Sequence, residues 1–385
     1  MSRRTGMRAL RIAMVGQKGI PARYGGVETH VENIAVRLVA RGHQVSVFCR
    51  SRLRASEFVP GSNGVYRGVH LLYRGSVNTK HLDAASHTFV SAVEASCRHG
   101  FDIVHLHGIG PAAFAPVAGM FGRKVVSTFH ALDWRQVKWG GRAKAWLRRG
   151  ESIGARRSDG VIAVSRLMQV HIQSAHGVDA VYIPNGASLP GAAVSPAPLA
   201  RWGLLPGEYV LTVGRIIADR DVETLLRAFA RVRDRYPALR LVVVGSETPR
   251  TAYSETLERM AGDRVLFTGD VFGDALEALY AHCRVYVLAS RVEGLPITVC
   301  EAMAHGRALV LSNIPENAEV GGDAARFFPC GDDQALAREL GVLVDDTEGR
   351  DALGRTARAR CEEHYNWESI ADQIESFYYR VLTGD

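Results

Sequence analysis

Short apolar runs alternate with longer stretches whose apolar residues recur every three or four positions. Residues 10–15 form one such run, closed by Gly16. Val27, Val31, Ile34, Leu38 and Val39 follow at helical spacing and end at Gly42. Further runs at 45–49, 69–73, 103–107, 125–129, 160–164 and 180–183 read as strands. Strands that are apolar throughout, separated by helices, predict a parallel sheet covered on both faces. Pro184-Asn185-Gly186 is a turn signal, and the Ala-, Pro- and Gly-rich stretch 187–206 reads as a linker. The alternation then resumes at 209–213, 241–244, 265–268, 285–289 and 308–312. A helical pattern at 367–382 could pack back across the linker. The expectation is two doubly wound α/β domains, with ligands beyond the carboxyl ends of the strands and the site in the cleft between the domains.

Length agrees, since 385 residues exceed what a single typical core covers. The formal charge of +7 points to anionic partners without choosing among phosphates, membrane headgroups and nucleic acid. No apolar run reaches the ~20 residues that span a bilayer, and the first residues lack a signal-peptide apolar region. Six scattered cysteines without a Cys-x-x-Cys pair read as reduced thiols, which suits a cytoplasmic protein.

The most informative stretch runs from Glu293 to Glu301. Glu293, Gly294, Leu295 and Pro296 follow a buried-looking strand, and Pro296 suits a helix start. Ile297, Cys300 and Met303 would face a core, while Thr298, Glu301 and His305 line a polar stripe closed by Gly306. The helix start would attract a diphosphate, and carboxylates beside it would accept sugar or ribose hydroxyls. The plainer alternative is a solvated Glu293 and a Glu301 paired with His305.

Four other segments offer chemistry. The loop from Gly16 to Glu28 holds Gly25 and Gly26 at a helix start, where backbone can approach a phosphate, or is simply a strand-to-helix turn. It lacks Gly-x-Gly-x-x-Gly, which argues against NAD binding. Arg215 and Arg220 follow the 209–213 strand and could clamp a diphosphate, or be surface charge. His130 lies just past a strand, with Asp133 and Trp134 in the same loop. Residues 142–157, bounded by Arg142 and Arg157, carry a stripe of Ala143, Trp146, Leu147, Gly150 and Ile153, with Trp139 just before it. Arginines surround that stripe, so the helix either lies on an anionic membrane face or packs its stripe into the first domain. No helix-turn-helix or zinc pattern supports nucleic-acid binding.

Taken together and in order, these segments resemble the GT-B-fold glycosyltransferases of family 4 over nearly the whole chain. The carriers are Gly25-Gly26, Gly42-His43, Asn185-Gly186, Gly214-Arg215 and the Glu293–Glu301 acid pair. The run from Pro21 to Glu28, with His130-Ala131-Leu132-Asp133-Trp134, is similar to a bacterial branch that includes rhamnosyltransferases. The resemblance implies two Rossmann-like domains facing across a cleft: 1–188 on the acceptor side, 189–366 for the donor, and 367–385 returning to the first. It implies a metal-independent, retaining transfer with no cofactor, from a nucleoside-diphosphate sugar to a glycan or lipid-linked acceptor.

By the same resemblance, Gly25, Gly26, Arg215 and Arg220 meet the diphosphate, and Glu301 the ribose. Glu293, Gly294 and Leu295 meet the moving sugar, Val271 borders the base, and His130 lies over the reacting sugar. Arg23, Tyr24, Asp133 and Trp134 are acceptor-side candidates. A nucleotide-sugar epimerase of the same fold is the alternative. One departure stands out: the family usually has Lys-Gly where this chain has Arg220-Asp221.

Overall fold

A computed structural model describes residues 8–23, 25–53, 64–79, 82–98, 100–136, 140–191, 193–247 and 252–384. Tyr24 and Trp139 lie outside them. The chain divides into two compact units: one runs to Pro184 and includes Trp367 onward, and the other is Asn185–Asn366.

In the first unit an eight-stranded sheet has the order β3-β4-β2-β1-β5-β6-β7-β8. The strands are β1 (Arg11–Val15), β2 (Gln44–Arg50), β3 (Gly64–Tyr66), β4 (Val69–Arg74), β5 (Ile103–His107), β6 (Lys124–Phe129), β7 (Gly160–Ala163) and β8 (Val181–Tyr182). All pair in parallel except the β3–β4 hairpin. β5 is buried at every position, as a central strand covered on both faces must be. The Gly26–Ala40 helix buries Val31, Ile34, Ala35 and Leu38. The Trp367–Thr383 helix packs beside it: Arg37 Nε donates to Glu368 Oε1 at 2.8 Å, and buried Trp367 lies 5.6 Å from the His30 ring.

The second unit holds a six-stranded sheet ordered β11-β10-β9-β12-β13-β14. Its strands are β9 (Tyr209–Val213), β10 (Arg240–Val244), β11 (Val265–Gly269), β12 (Val285–Leu288), β13 (Leu309–Ser312) and β14 (Ala325–Phe328), all parallel. The Val222–Val232 helix inserts Val222, Leu225, Leu226 and Phe229 into its core. Each such side chain contributes about 1.5–3 kcal/mol by burial.

β3 and β14 have no counterpart among the expected strands. Gly64–Tyr66 is too short to show a period, and Ala325–Phe328 interrupts its apolar residues with Arg326. Sheet pairing, not local pattern, makes them strands.

Candidate functional site

In the second unit, β9 is followed by Gly214, whose φ of 153° suits glycine. Gly214 N–H bonds Val244 O at 3.0 Å. A Cβ added to Gly245 would sit 2.0 Å from Gly214 O, so glycine there lets the β9 and β10 loops touch. The turn Ala218–Arg220 then delivers Arg220 to an ion pair with Glu293 Oε1. Arg220 Nη1 also lies 3.4 Å from Ser290 Oγ. Arg215, earlier in the same loop, is exposed.

The loop after β12 is fastened to this turn twice more, because Arg291 N–H donates to Asp219 O at 2.8 Å and Arg291 Nη2 meets Asp221 Oδ2 at 2.8 Å. Gly294 and Leu295 are buried, and Asn185 Nδ2 donates to Leu295 O at 2.9 Å. Asn185, read from sequence as a turn residue and as part of the Asn185-Gly186 motif, therefore shapes the loop after Glu293. Arg291 gave no signal at all, since its partner lies far away in the chain.

Asp221 stands where the resembled family usually has glycine, and it adopts φ 48°, ψ 45°. That left-handed conformation favours glycine and tolerates aspartate better than most residues. The carboxylate finds its own partners, accepting from Thr224 Oγ1 at 2.9 Å and from Arg291. Asp221 thus holds a backbone conformation that glycine would adopt without strain.

Pro296 sits at the N-cap of the Ile297–Ala304 helix, and Ile297, Cys300 and Met303 are buried. Glu301 is not paired with His305. Tyr280 Oη donates to Glu301 Oε2 at 2.7 Å, while His305 Nε2 meets Glu277 Oε2 at 2.8 Å. Tyr280 stacks on His305 with centroids 5.9 Å apart. Both partners come from the Asp274–His282 helix, so helix packing overrides the i, i+4 expectation. Burial pushes the Glu301 carboxyl up to about 7, the Tyr280 hydrogen bond opposing it and Glu277 adding to it. Val271, just past β11, is buried beside Asp270, which accepts from Ser246 Oγ at 2.8 Å.

In the first unit, Gly25 caps the Gly26–Ala40 helix with φ 143°. The preceding loop is held by Gln17 Nε2, which donates to Phe48 O at 2.9 Å, and by Glu28, which accepts from Lys18 N–H at 2.9 Å. Arg23 is exposed. One turn into the helix, His30 meets His130 edge-on at 4.7 Å between centroids. His107 Nδ1 lies 3.3 Å from His130 Nε2, and His105 is fixed by Tyr378 Oη at 2.6 Å and Thr128 Oγ1 at 2.7 Å. Burial, then the neighbouring imidazoles, holds His130 well below its ordinary range, so it is neutral at pH 7. The sequence flagged His130 alone; the cluster arises because β5, β6 and a helix converge.

Asp133 accepts from Gln136 Nε2 at 2.9 Å. Trp134 Nε1 donates to Glu151 Oε2 at 2.6 Å, and Arg148 lies over the indole at 4.7 Å. The Gly141–Arg157 helix buries Leu147, Gly150 and Gly154 into the unit but leaves Trp146 53% exposed. Trp146 therefore leaves the packing stripe. A Cβ on Gly154 would lie 2.4 Å from Ala112 Cβ, so the glycines that weaken the helix locally are what let it pack.

Among the described residues, two groups have ligand atoms within 4.8 Å of one another and could hold a metal: His30, His107 and His130; and Glu151, His171 and His176. In the second, Glu151 Oε1 already accepts from both imidazoles, at 2.6 and 2.8 Å.

A family model described as Glycosyltransferase Family 4 matches residues 24–189, and one described as Glycosyl transferases group 1 matches 207–346. A phosphatidyl-myo-inositol mannosyltransferase of Mycobacterium leprae is 30% identical over 379 residues, covering 94% of either chain. A glycogen synthase of Mycobacterium tuberculosis is 28% identical, covering 98% of this chain and 96% of its own. Among solved structures, sucrose-phosphate synthase from Thermosynechococcus elongatus superposes with a TM-score of 0.84 at 21% identity, over 98% of this chain and all (100%) of its own. The Anabaena Alr3699/HepE protein in complex with UDP-glucose gives 0.76 at 18% identity, over 96% and 99%. With both Rossmann-like units matched in order, the chain belongs to the family 4 glycosyltransferases of GT-B fold.

Proposed function

We propose that this enzyme is a retaining, metal-independent glycosyltransferase using a nucleoside-diphosphate sugar. Its acceptor is a cell-surface glycan or a lipid-linked glycan, and its sugar a hexose or deoxyhexose such as rhamnose. The observation that carries the reading is the carboxyl edge of the six-stranded sheet, where Arg220 meets Glu293 on fastened loops and Glu301 lies on the helix that follows. Likeness to a mannosyltransferase acting on a lipid supports the acceptor class.

In this reading, Arg215 and Arg220 neutralise the leaving diphosphate, with Gly25 and Gly26 N–H groups offering helix-start donors. Glu301 accepts the ribose hydroxyls and Val271 borders the base. Glu293, Gly294 and Leu295 meet the sugar. Neutral His130 accepts or donates a hydrogen bond to it without adding charge. The C1–O bond to phosphate breaks, and a donor phosphate oxygen takes the acceptor proton as the new C1–O bond forms on the same face. Asp133, Trp134 and Arg23 belong to the acceptor side, with Tyr24 outside the described residues.

Peripheral membrane contact through the Gly141–Arg157 helix fits its exposed Trp146, Arg142, Arg148, Arg149, Arg156 and Arg157. No helix among the described residues is long and apolar enough to cross a membrane.

The test is a thermal-shift panel of nucleoside diphosphates and nucleotide sugars, followed by transfer assays with the best binder. A selective shift and a glycosylated product with retained anomeric configuration are expected. Conversion of the nucleotide sugar to an epimer without acceptor would overturn the transferase reading in favour of an epimerase.

A further inference from the structure

A cavity of about 300 Å³ opens on the other edge of the donor-unit sheet. Pro206 and Gly207 lead into β9, Arg284 into β12 and Arg307 into β13, and all four line it. These are the amino ends of parallel strands, whereas Arg220 and Glu293 follow the carboxyl ends. Arg350, from the first turn of the Thr347–His364 helix, completes the wall with Asp351. That helix can approach because Gly354 has no Cβ: one would sit 2.3 Å from Gly306 O.

The three guanidiniums are held by backbone carbonyls. Arg284 donates to Gly207 O at 2.6 Å and Val344 O at 3.2 Å. Arg307 donates to His305 O at 2.9 Å and Cys283 O at 3.4 Å, and Arg350 to Leu343 O at 3.1 Å. Carbonyls fix a guanidinium's position without cancelling its charge. Among the described residues, the only carboxylate within 4.0 Å of the three is Asp351, 3.8 Å from Arg350 and 60% exposed. Burial, then repulsion from Arg284, holds Arg350 below its ordinary range; Arg307 adds to this, while Asp351 and Asp346 oppose it. Three like charges around one open volume repel unless an anion enters, and planar guanidiniums match phosphate oxygens. The volume is at the lower end for small-ligand pockets.

We propose that Arg284, Arg307 and Arg350 form a second anion site, separate from the donor site, that takes inorganic phosphate or the phosphate group of a small phosphorylated molecule. The site borders the groups already described. The Asp274–His282 helix, which carries Tyr280, ends just before Arg284. The Ile297–Ala304 helix, which carries Glu301, ends just before Arg307.

Isothermal titration of the full chain tests this, with inorganic phosphate and a hexose 6-phosphate as separate probes. Arg307→Gln and Arg350→Gln should each weaken binding about tenfold or more, the loss of a charge-assisted hydrogen bond. Asp351→Asn, at an exposed position, should strengthen it roughly two- to fivefold by removing the competing carboxylate. Arg220→Gln should leave it unchanged. Tighter binding of the hexose phosphate assigns the site to a metabolite, and equal binding assigns it to phosphate itself. The proposal is overturned if neither probe binds, if Arg220→Gln abolishes binding, or if binding survives in both arginine variants. Should those variants fail to fold, unchanged or weaker binding by Asp351→Asn overturns it equally.

Discussion

Arg220 and Glu293 form an ion pair, with the Glu293 side chain only 8% exposed. Arg220→Ala should weaken nucleoside diphosphate binding about tenfold to a hundredfold, while nucleoside binding changes little. Calorimetric titration with both ligands checks this, and equal losses would refute the diphosphate clamp. The variant also leaves Glu293 without its cation, which should cost about 1–3 kcal/mol in urea unfolding.

The role proposed for Glu301 would make donor binding depend on pH. Its carboxyl titrates at about 7, so it is largely protonated below neutrality. Ribose hydroxyls bond the ionised form better, so affinity should fall as pH drops below about 7. The slope should approach tenfold per unit for one coupled proton. A nucleoside without phosphate is the right probe, because nothing on it titrates nearby. Glu301→Gln should bind more weakly at pH 8 and show no such slope. The sign for stability is opposite: a carboxyl raised from 4.5 to about 7 favours the folded state at low pH and loses that contribution as pH rises through this window.

Asp221 separates conformation from charge. Asp221→Ala keeps the left-handed backbone with neither partner, and should lose about 1–3 kcal/mol of stability. Asp221→Gly relieves the conformation while losing the Arg291 contact, and should lie within about 1 kcal/mol of the parent. Denaturant midpoints measure both, and a glycine variant worse than alanine would refute the conformational account.

The Gly141–Arg157 helix has one face that must stay small and one that faces out. Gly154→Ala places a methyl against Ala112 and should destabilise by about 1–3 kcal/mol. Trp146→Ser should change stability by less than about 0.5 kcal/mol, as surface positions do. If the helix meets membranes, Trp146→Ser should also reduce co-sedimentation with anionic vesicles.

Sequence alone determined the two alternating α/β halves, because strands covered on both faces must be apolar throughout and helices must repeat every three to four residues. It also marked Gly25, Gly214 and Gly306, and the structure gives all three a positive φ. It singled out Arg220, Glu293 and Glu301 by position relative to the strands. Tertiary structure alone decided their partners. Arg220 meets Glu293, Glu301 meets Tyr280 instead of His305, and Asp221 meets Arg291. His130 joins three other imidazoles, and Asn185 reaches Leu295. The reason is physical: periodicity and backbone conformation are local and leave a trace in neighbouring residues. A hydrogen bond between loops depends on how strands and helices pack, and no short stretch of sequence records it. The same holds for β3, β14 and the arginine-lined cavity, each made by segments that meet only in the folded chain.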